Sequence, residues 1–112
     1  MNFVDTGCVV VLTTIGRGAD GHALASTLVA ERLAACVNVM GEMESSYRWK
    51  GAVETERERQ VVIKTTVARL PELEARIRAL HPYETPEVVA LPIAGGSEKY
   101  LSWIRESTAK IG

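Results

Sequence analysis

The spacing of hydrophobic and polar residues along the chain predicts an ordered series of strands and helices. The β-branched run at residues 8–14 lies between glycines and is typical of a strand that is buried on both faces. A glycine-rich loop follows, and Asp20 is the predicted N-cap of an amphipathic helix that runs to about residue 35. Alternating residues then predict two long strands, 36–49 and 52–66, which are joined by a Lys-Gly turn.

The second half of the chain contains two helix patterns around a short strand pattern. Apolar residues at intervals of three and four between residues 70 and 80 predict a helix that ends before Pro82. Residues 87–93 are predicted to form a strand, and Pro92 indicates a position at the sheet edge or at the strand end. The Gly-Gly-Ser break at residues 95–97 is predicted to cap a terminal helix.

The predicted order is strand, helix, strand, strand, helix, strand and terminal helix. This order is typical of a ferredoxin-like βαββαβ sandwich, an α+β fold with one antiparallel sheet and two helices on one of its faces. Right-handed crossovers place the first and third strands at the centre, the fourth strand beside the first, and the second beside the third. The length of 112 residues fits one domain covering residues 1–112.

Composition and charge narrow the range of functions. The 13 basic and 14 acidic residues give a net charge of -1, and the lack of a basic excess argues against a nucleic-acid partner. Hydrophobic residues make up 46% of the chain, which is too high for a disordered protein. The first apolar run is too short for a signal peptide or a membrane span. We therefore expect a cytoplasmic protein with no membrane partner and with free thiols at Cys8 and Cys36.

The two long strands form a hairpin whose outer half is too charged to be buried in a single subunit. Residues 54–59 are mostly Glu and Arg, and each arm has about 13 residues where about 5–6 are usual. A ribbon of this length exposes unpaired edges. We therefore expect solvent or partner subunits to cover it.

Five segments of the chain resemble one protein family. They are LAACVNV at 33–39, SYRWKG at 46–51, IKTT at 63–66, HPYETPE at 81–87 and YLSWI at 100–104. In this order and spacing they are similar to the CutA divalent-cation tolerance family, over about residues 8–105. The resemblance implies a ferredoxin-like subunit, a tight cytoplasmic homotrimer built through the long second and third strands, and a link to copper and other divalent metals. It also implies a trimer similar to that of PII signalling proteins, which bind nucleotides between subunits.

The family pattern makes Cys36 and His81 the candidate metal ligands. The predicted topology places them near opposite ends of the sheet, so a shared site needs two subunits. Thr13 and Leu80 are the predicted neighbours of His81, where family members with a defined copper site have softer ligands. We therefore expect only weak binding of copper or another divalent cation. The alternatives are that His81 caps a helix or bonds in an interface, and that Cys36 is a small buried hydrophobic residue.

Lys64 is the charged residue of an otherwise apolar strand segment, so it must pair with an acid or face a cleft. Glu84 and Glu56 are its candidate partners. One interpretation is an interface salt bridge. The other is an anion-binding lysine in a ligand pocket between subunits, with Glu84 nearby. The aromatic residues that would wall such a pocket are Tyr47, Trp49 and Tyr83.

Three functions are consistent with these residues. The first is a trimeric binding protein of metal tolerance, the second is a PII-like sensor of a small molecule or nucleotide, and the third is a scaffold trimer without a ligand. An enzyme is not expected, because we find no nucleophile elbow and no paired carboxylates in an apolar setting. The glycines at residues 16, 18 and 21 match GxGxxG, but the βαβ context of a dinucleotide fold is missing.

Overall fold

The computed structural model describes residues 5–111 and confirms the ferredoxin-like α+β architecture with an additional C-terminal helix. The sequence predicts each of these strands and helices, and a short 3₁₀ turn at Val67–Arg69 precedes the second helix. The elements are β1 (Cys8–Gly16), α1 (Gly21–Ala30), β2 (Cys36–Trp49), β3 (Ala52–Thr66), α2 (Leu70–Leu80), β4 (Val89–Pro92) and α3 (Glu98–Thr108).

The four strands form one antiparallel sheet in the order β2-β3-β1-β4. This order confirms the prediction that β1 and β3 are central neighbours. In its centre, Val11 pairs with Ile63 on one side and with Ala90 on the other. The strand β4 lies at an edge and has only 4 residues, so it is shorter than predicted and ends at Pro92, which cannot donate to a ladder.

The main core lies between the sheet and the two helices α1 and α2. Alternate residues of β1 point to this side, whereas Val10 and Leu12 on the other side are only partly buried, so one subunit does not bury both faces of this strand as predicted. Leu28 of α1 and Leu73 and Ile77 of α2 are at most 1% exposed. The strand residues packed against them include Val9, Val11, Ile15, Val61 and Ile63.

The helix α1 ends at Ala30, five residues before the predicted end. Arg32 adopts a left-handed backbone with φ 60°, and the Leu33 N–H donates to the Leu28 carbonyl at 3.0 Å. These are the features of a Schellman motif, which glycine usually closes. The Arg32 guanidinium donates to two carbonyls at the end of α3. The predicted extension to residue 35 was wrong, because the chain turns there to bury residues 33–35.

The terminal helix α3 packs against one end of the opposite sheet face. Leu101 and Ile104 form a second small core with Cys8. The hydroxyls of Thr66 and Thr108 lie 3.4 Å apart across the same contact. Within residues 5–111, none of the helices is long and apolar enough to cross a membrane.

Within residues 5–111, no helix covers the rest of that sheet face, which is mostly aliphatic; we call it the open face. Leu91 and Val89 of β4 are 48% and 46% exposed there. They pair with Val10 and Leu12 of β1, and Val62 of β3 continues the same surface. A single subunit therefore presents a sheet face of aliphatic side chains to its surroundings.

Candidate functional site

The hairpin of β2 and β3 carries the open face beyond the helices. An irregularity between Val39 and Glu42 shifts the register of β2 against β3. Because one extra residue reverses which side chains face each side, the odd-numbered residues of β2 point to the open face after this bulge. Tyr47 then lies opposite Glu54, and Met43 lies opposite Glu58.

A groove of about 590 Å³ follows this face of the hairpin. Five glutamates line it, and none of its described lining residues is Lys or Arg. The strand β3 supplies three of the glutamates at alternate positions, and the segment between α2 and β4 supplies the other two. We call this the acidic groove: its acids are Glu54, Glu56, Glu58, Glu84 and Glu87, and its aromatic residues are Tyr47, Trp49 and Tyr83.

Glu58 is the most deeply placed acid of the acidic groove. It is 8% exposed, and its carboxylate has neither a hydrogen-bond nor an ion-pair partner within residues 5–111. Its oxygens still reach solvent, because within residues 5–111 the fully buried side-chain oxygen without a partner is that of Thr13. The groove therefore offers a negative charge that is hydrated in one subunit and would need a partner if another chain covered it.

Two phenols of the acidic groove respond to its carboxylates. Burial, then the negative charges of Glu56 and Glu58, raise the pKa of Tyr83 above its ordinary value of 10.0. Desolvation, and then the neighbouring Glu56 carboxylate, raise the pKa of Tyr47 above its ordinary value. Both phenols therefore stay protonated and remain hydrogen-bond donors toward the groove.

His81 fixes the start of the segment that forms one wall of the acidic groove. Its Nδ1 accepts a hydrogen bond from the Tyr83 N–H at 3.1 Å, so Nε2 carries the proton and donates to the Thr14 carbonyl at 2.6 Å. The imidazole also packs edge-on against the Tyr83 ring, at 4.4 Å between centroids. Both ring nitrogens are thus occupied within the subunit.

The predicted neighbours of His81 are present. Thr13 and Leu80 line one cleft of about 260 Å³ with His81, between α1 and α2. Neither is a metal ligand of the soft type that copper prefers. This cleft therefore offers copper the imidazole, whose lone pair the Tyr83 N–H already takes, and the Asp20 carboxylate, which caps α1.

Cys36 lies far from His81 within one subunit. Cys36 and Val10 both pair with Lys64, whereas His81 bonds to Thr14, four residues further along β1 and about 13 Å away. Among residues 5–111, no group of three or more His, Cys, Asp or Glu is placed to hold a metal ion. One subunit alone therefore does not fit a copper ion at Cys36 and His81.

The structure brings Trp49, Tyr83 and Glu84 together in the acidic groove, as the pocket prediction requires. Lys64 is separate: its Nζ lies 5.8 Å from the ring centroid of Tyr100, at the α3 end of the open face. It is six residues from Glu58 on the same strand, or about 20 Å. Lys64 therefore does not reach the acidic groove of its own subunit.

Glu54, Glu58 and Glu87 line the acidic groove but were not predicted as site residues. The signal was present in the alternation of glutamates at residues 54, 56 and 58. Since side chains two residues apart on a strand share a face, these three acids must lie on one face of the strand. What could not be predicted was that the turn after His81 folds over them.

Residues 9–107 match the family described as CutA1 divalent ion tolerance protein. The divalent-cation tolerance protein CutA of Thermus thermophilus is 48% identical over 99 residues, which are 88% of this chain and 96% of that protein. The chloroplastic protein CutA of Arabidopsis thaliana is 45% identical over 100 residues, which are 89% of this chain and 55% of that longer protein.

Solved structures of proteins named CutA1 share the fold of this chain. The Thermus thermophilus divalent cation tolerance protein superposes with a TM-score of 0.88 at 47% identity, covering 91% of this chain and 99% of that one. CutA1 from Oryza sativa superposes with a TM-score of 0.88 at 41% identity, covering 97% and 98%. Sequence and fold agree along nearly the whole chain, and the chain belongs to the CutA1 divalent ion tolerance protein family.

Proposed function

We propose that this protein is a cytoplasmic, non-enzymatic homotrimer that binds divalent cations weakly in metal tolerance. The observation that supports the assembly is the open face, where Val89 and Leu91 are about half exposed in one subunit and the neighbouring aliphatic residues are only partly buried. An apolar face of this kind is usually buried against another chain. The family supports the link to divalent cations, since its relatives are named for tolerance of them.

The free edge of the sheet also favours assembly. The strand β2 lies at the edge with 14 residues, and edges of this length invite pairing with another chain. A contact between different surfaces of identical subunits closes into a ring when its rotation allows. A ring of three would cover the open faces and the projecting hairpins together.

The charge of the acidic groove favours a cation over a nucleotide. Its five glutamates attract divalent cations and repel phosphate groups. Sensing of an anionic nucleotide is therefore the weaker alternative to cation binding. Among the described residues of one subunit, no Lys or Arg lines this groove.

Copper is expected to bind between subunits through Cys36 of one copy and His81 of another. Binding at His81 has to displace one of its two hydrogen bonds, so the affinity should be modest. The affinity should also fall below about pH 6, because protons compete for the imidazole.

Two measurements test this proposal. Light scattering at micromolar concentration should give the mass of three chains, and a monomer would end the assembly proposal. Titration with Cu²⁺ should show weaker binding for His81→Ala and a smaller loss for Cys36→Ser. Binding by the double variant equal to that of the wild type would show that copper does not use these residues.

A further inference from the structure

We infer that the acidic groove is completed by Lys64 of an adjacent copy of this chain, whose ammonium group pairs with the Glu58 carboxylate. The inference rests on the proposed assembly and deepens it, since it names the groups that meet at the subunit contact. It also joins Lys64 to Trp49, Tyr83 and Glu84 across two subunits, where one subunit keeps it apart from them.

Glu58 is the group that requires a partner. It is 8% exposed and lines the groove, and no cation or hydrogen-bond donor within residues 5–111 satisfies its carboxylate. Any chain that covers the groove would remove its remaining access to water. A covering chain therefore has to bring a cation or leave a buried charge unpaired.

Most basic residues are already engaged within the subunit. Of the 13 Lys and Arg, those with no carboxylate or carbonyl partner within residues 5–111 are Arg48, Lys50, Lys64 and Lys99. Arg48 points away from the open face, because it neighbours Trp49 on the strand. Lys50 lies over the Trp49 ring of its own hairpin. Lys99 lies on α3, outside the sheet.

Lys64 differs from the others because it lies on the open face itself. It pairs with Val10 and Cys36 and shares its strand face with Val62. Burial of the open face would therefore bury the Lys64 ammonium as well. The same contact that covers the aliphatic residues must give Lys64 a carboxylate.

The order of charges along β3 places suitable carboxylates on the same face as Lys64. On the open face the strand presents glutamates at residues 54, 56 and 58 toward the hairpin tip and Lys64 at its other end. A neighbour that lays its Lys64 end on the glutamate end of the next copy gives Lys64 a carboxylate and neutralises one of the three glutamates. In a ring, each copy then gives one lysine and receives another.

Charge reversal tests this pairing by native mass spectrometry and sedimentation. Lys64→Glu and Glu58→Lys should each weaken association by at least about a hundredfold, because each sets like charges against one another. The double variant restores opposite charges and should associate within about tenfold of the wild type. Glu74→Lys and Arg78→Glu, at a solvent-exposed ion pair of α2 on the helix-covered side of the sheet, are the matched controls and should assemble normally.

The outcomes separate the two proposals. A wild-type trimer whose single variants assemble normally, or whose double variant stays dissociated, overturns the pairing and leaves the trimer standing. A wild-type dimer with full rescue overturns the trimer and keeps the pairing. A monomeric wild type overturns both. Circular dichroism reports whether a single variant has unfolded, and rescue in the double variant then still decides.

Discussion

Two buried threonines on the helix-covered side of the sheet should respond with opposite signs to the same substitution. Thr13 and Thr65 are both 0% exposed. The Thr65 hydroxyl donates to the Leu33 carbonyl at 2.8 Å. The Thr13 hydroxyl has no partner in the described part of the chain. Replacement by valine removes the hydroxyl and keeps the branched shape.

The magnitudes follow from these contacts. A buried hydroxyl without a hydrogen bond costs about 1–3 kcal/mol, so Thr13→Val should raise the free energy of unfolding by about 1 kcal/mol or more. Thr65→Val loses its bond and leaves the Leu33 carbonyl unpaired, and should lower the free energy of unfolding by about 1–3 kcal/mol. Because both residues face the helices and not the open face, neither change should alter subunit assembly.

Urea unfolding at one fixed subunit concentration measures both changes, since the stability of an oligomer depends on concentration. The Thr13→Val midpoint should rise while the Thr65→Val midpoint falls. If Thr13→Val destabilises the protein as much as Thr65→Val, the Thr13 hydroxyl has a partner in solution. A water molecule in the cleft beside His81 would then be that partner.

Three further changes test local interactions. Asp20→Ala removes the N-cap of α1, whose carboxylate accepts from the Ala23 N–H at 2.9 Å, and should cost about 1 kcal/mol in urea unfolding. Gly21→Ala should cost about 1–3 kcal/mol in the same assay, because a Cβ there would lie 2.8 Å from a valine methyl of β2. The Lys110 ammonium, 3.0 Å away, lowers the pKa of Glu72, so ionised Glu72 stabilises the fold near neutral pH and the effect is lost as pH falls through its folded pKa. An NMR titration should show that Lys110→Met raises this pKa, and an unchanged value would contradict the role of Lys110.

The fold could be predicted because its periodic patterns agree with one another. Hydrophobic residues recur every two positions in the strands and every three or four in the helices, and this difference identifies nearly every element. The charged residues of the hairpin indicated that its outer half lies outside the core. Helix ends were less predictable. Arg32 closes α1 in a conformation that glycine usually adopts, and its side chain is held by α3, far along the chain. No local pattern contains that contact.

The candidate site was only partly predictable, for a different physical reason. Tyr83 and Glu84, which the sequence analysis named as pocket residues, both line the acidic groove. The depth of Glu58 depends on Met43 opposite it and on the bulge that turns β2. A bulge changes which residues face the groove without leaving a clear mark in the composition. The acids were therefore visible in the sequence, but their burial was not.

The position of Lys64 decides how the predicted pocket can exist. A strand is close to rigid along its length, so the separation of about 20 Å between Lys64 and Glu58 cannot close within one subunit. The pocket residues can meet only if Lys64 comes from another copy. The pocket interpretation of the sequence groups Lys64 with residues of the acidic groove, whereas one subunit of the structure separates them. The two agree only if subunits assemble. The same requirement applies to Cys36 and His81, which one subunit also keeps apart. Both candidate sites therefore depend on a contact between subunits, and charge reversal at Lys64 and Glu58 tests whether that contact brings Lys64 to the acidic groove.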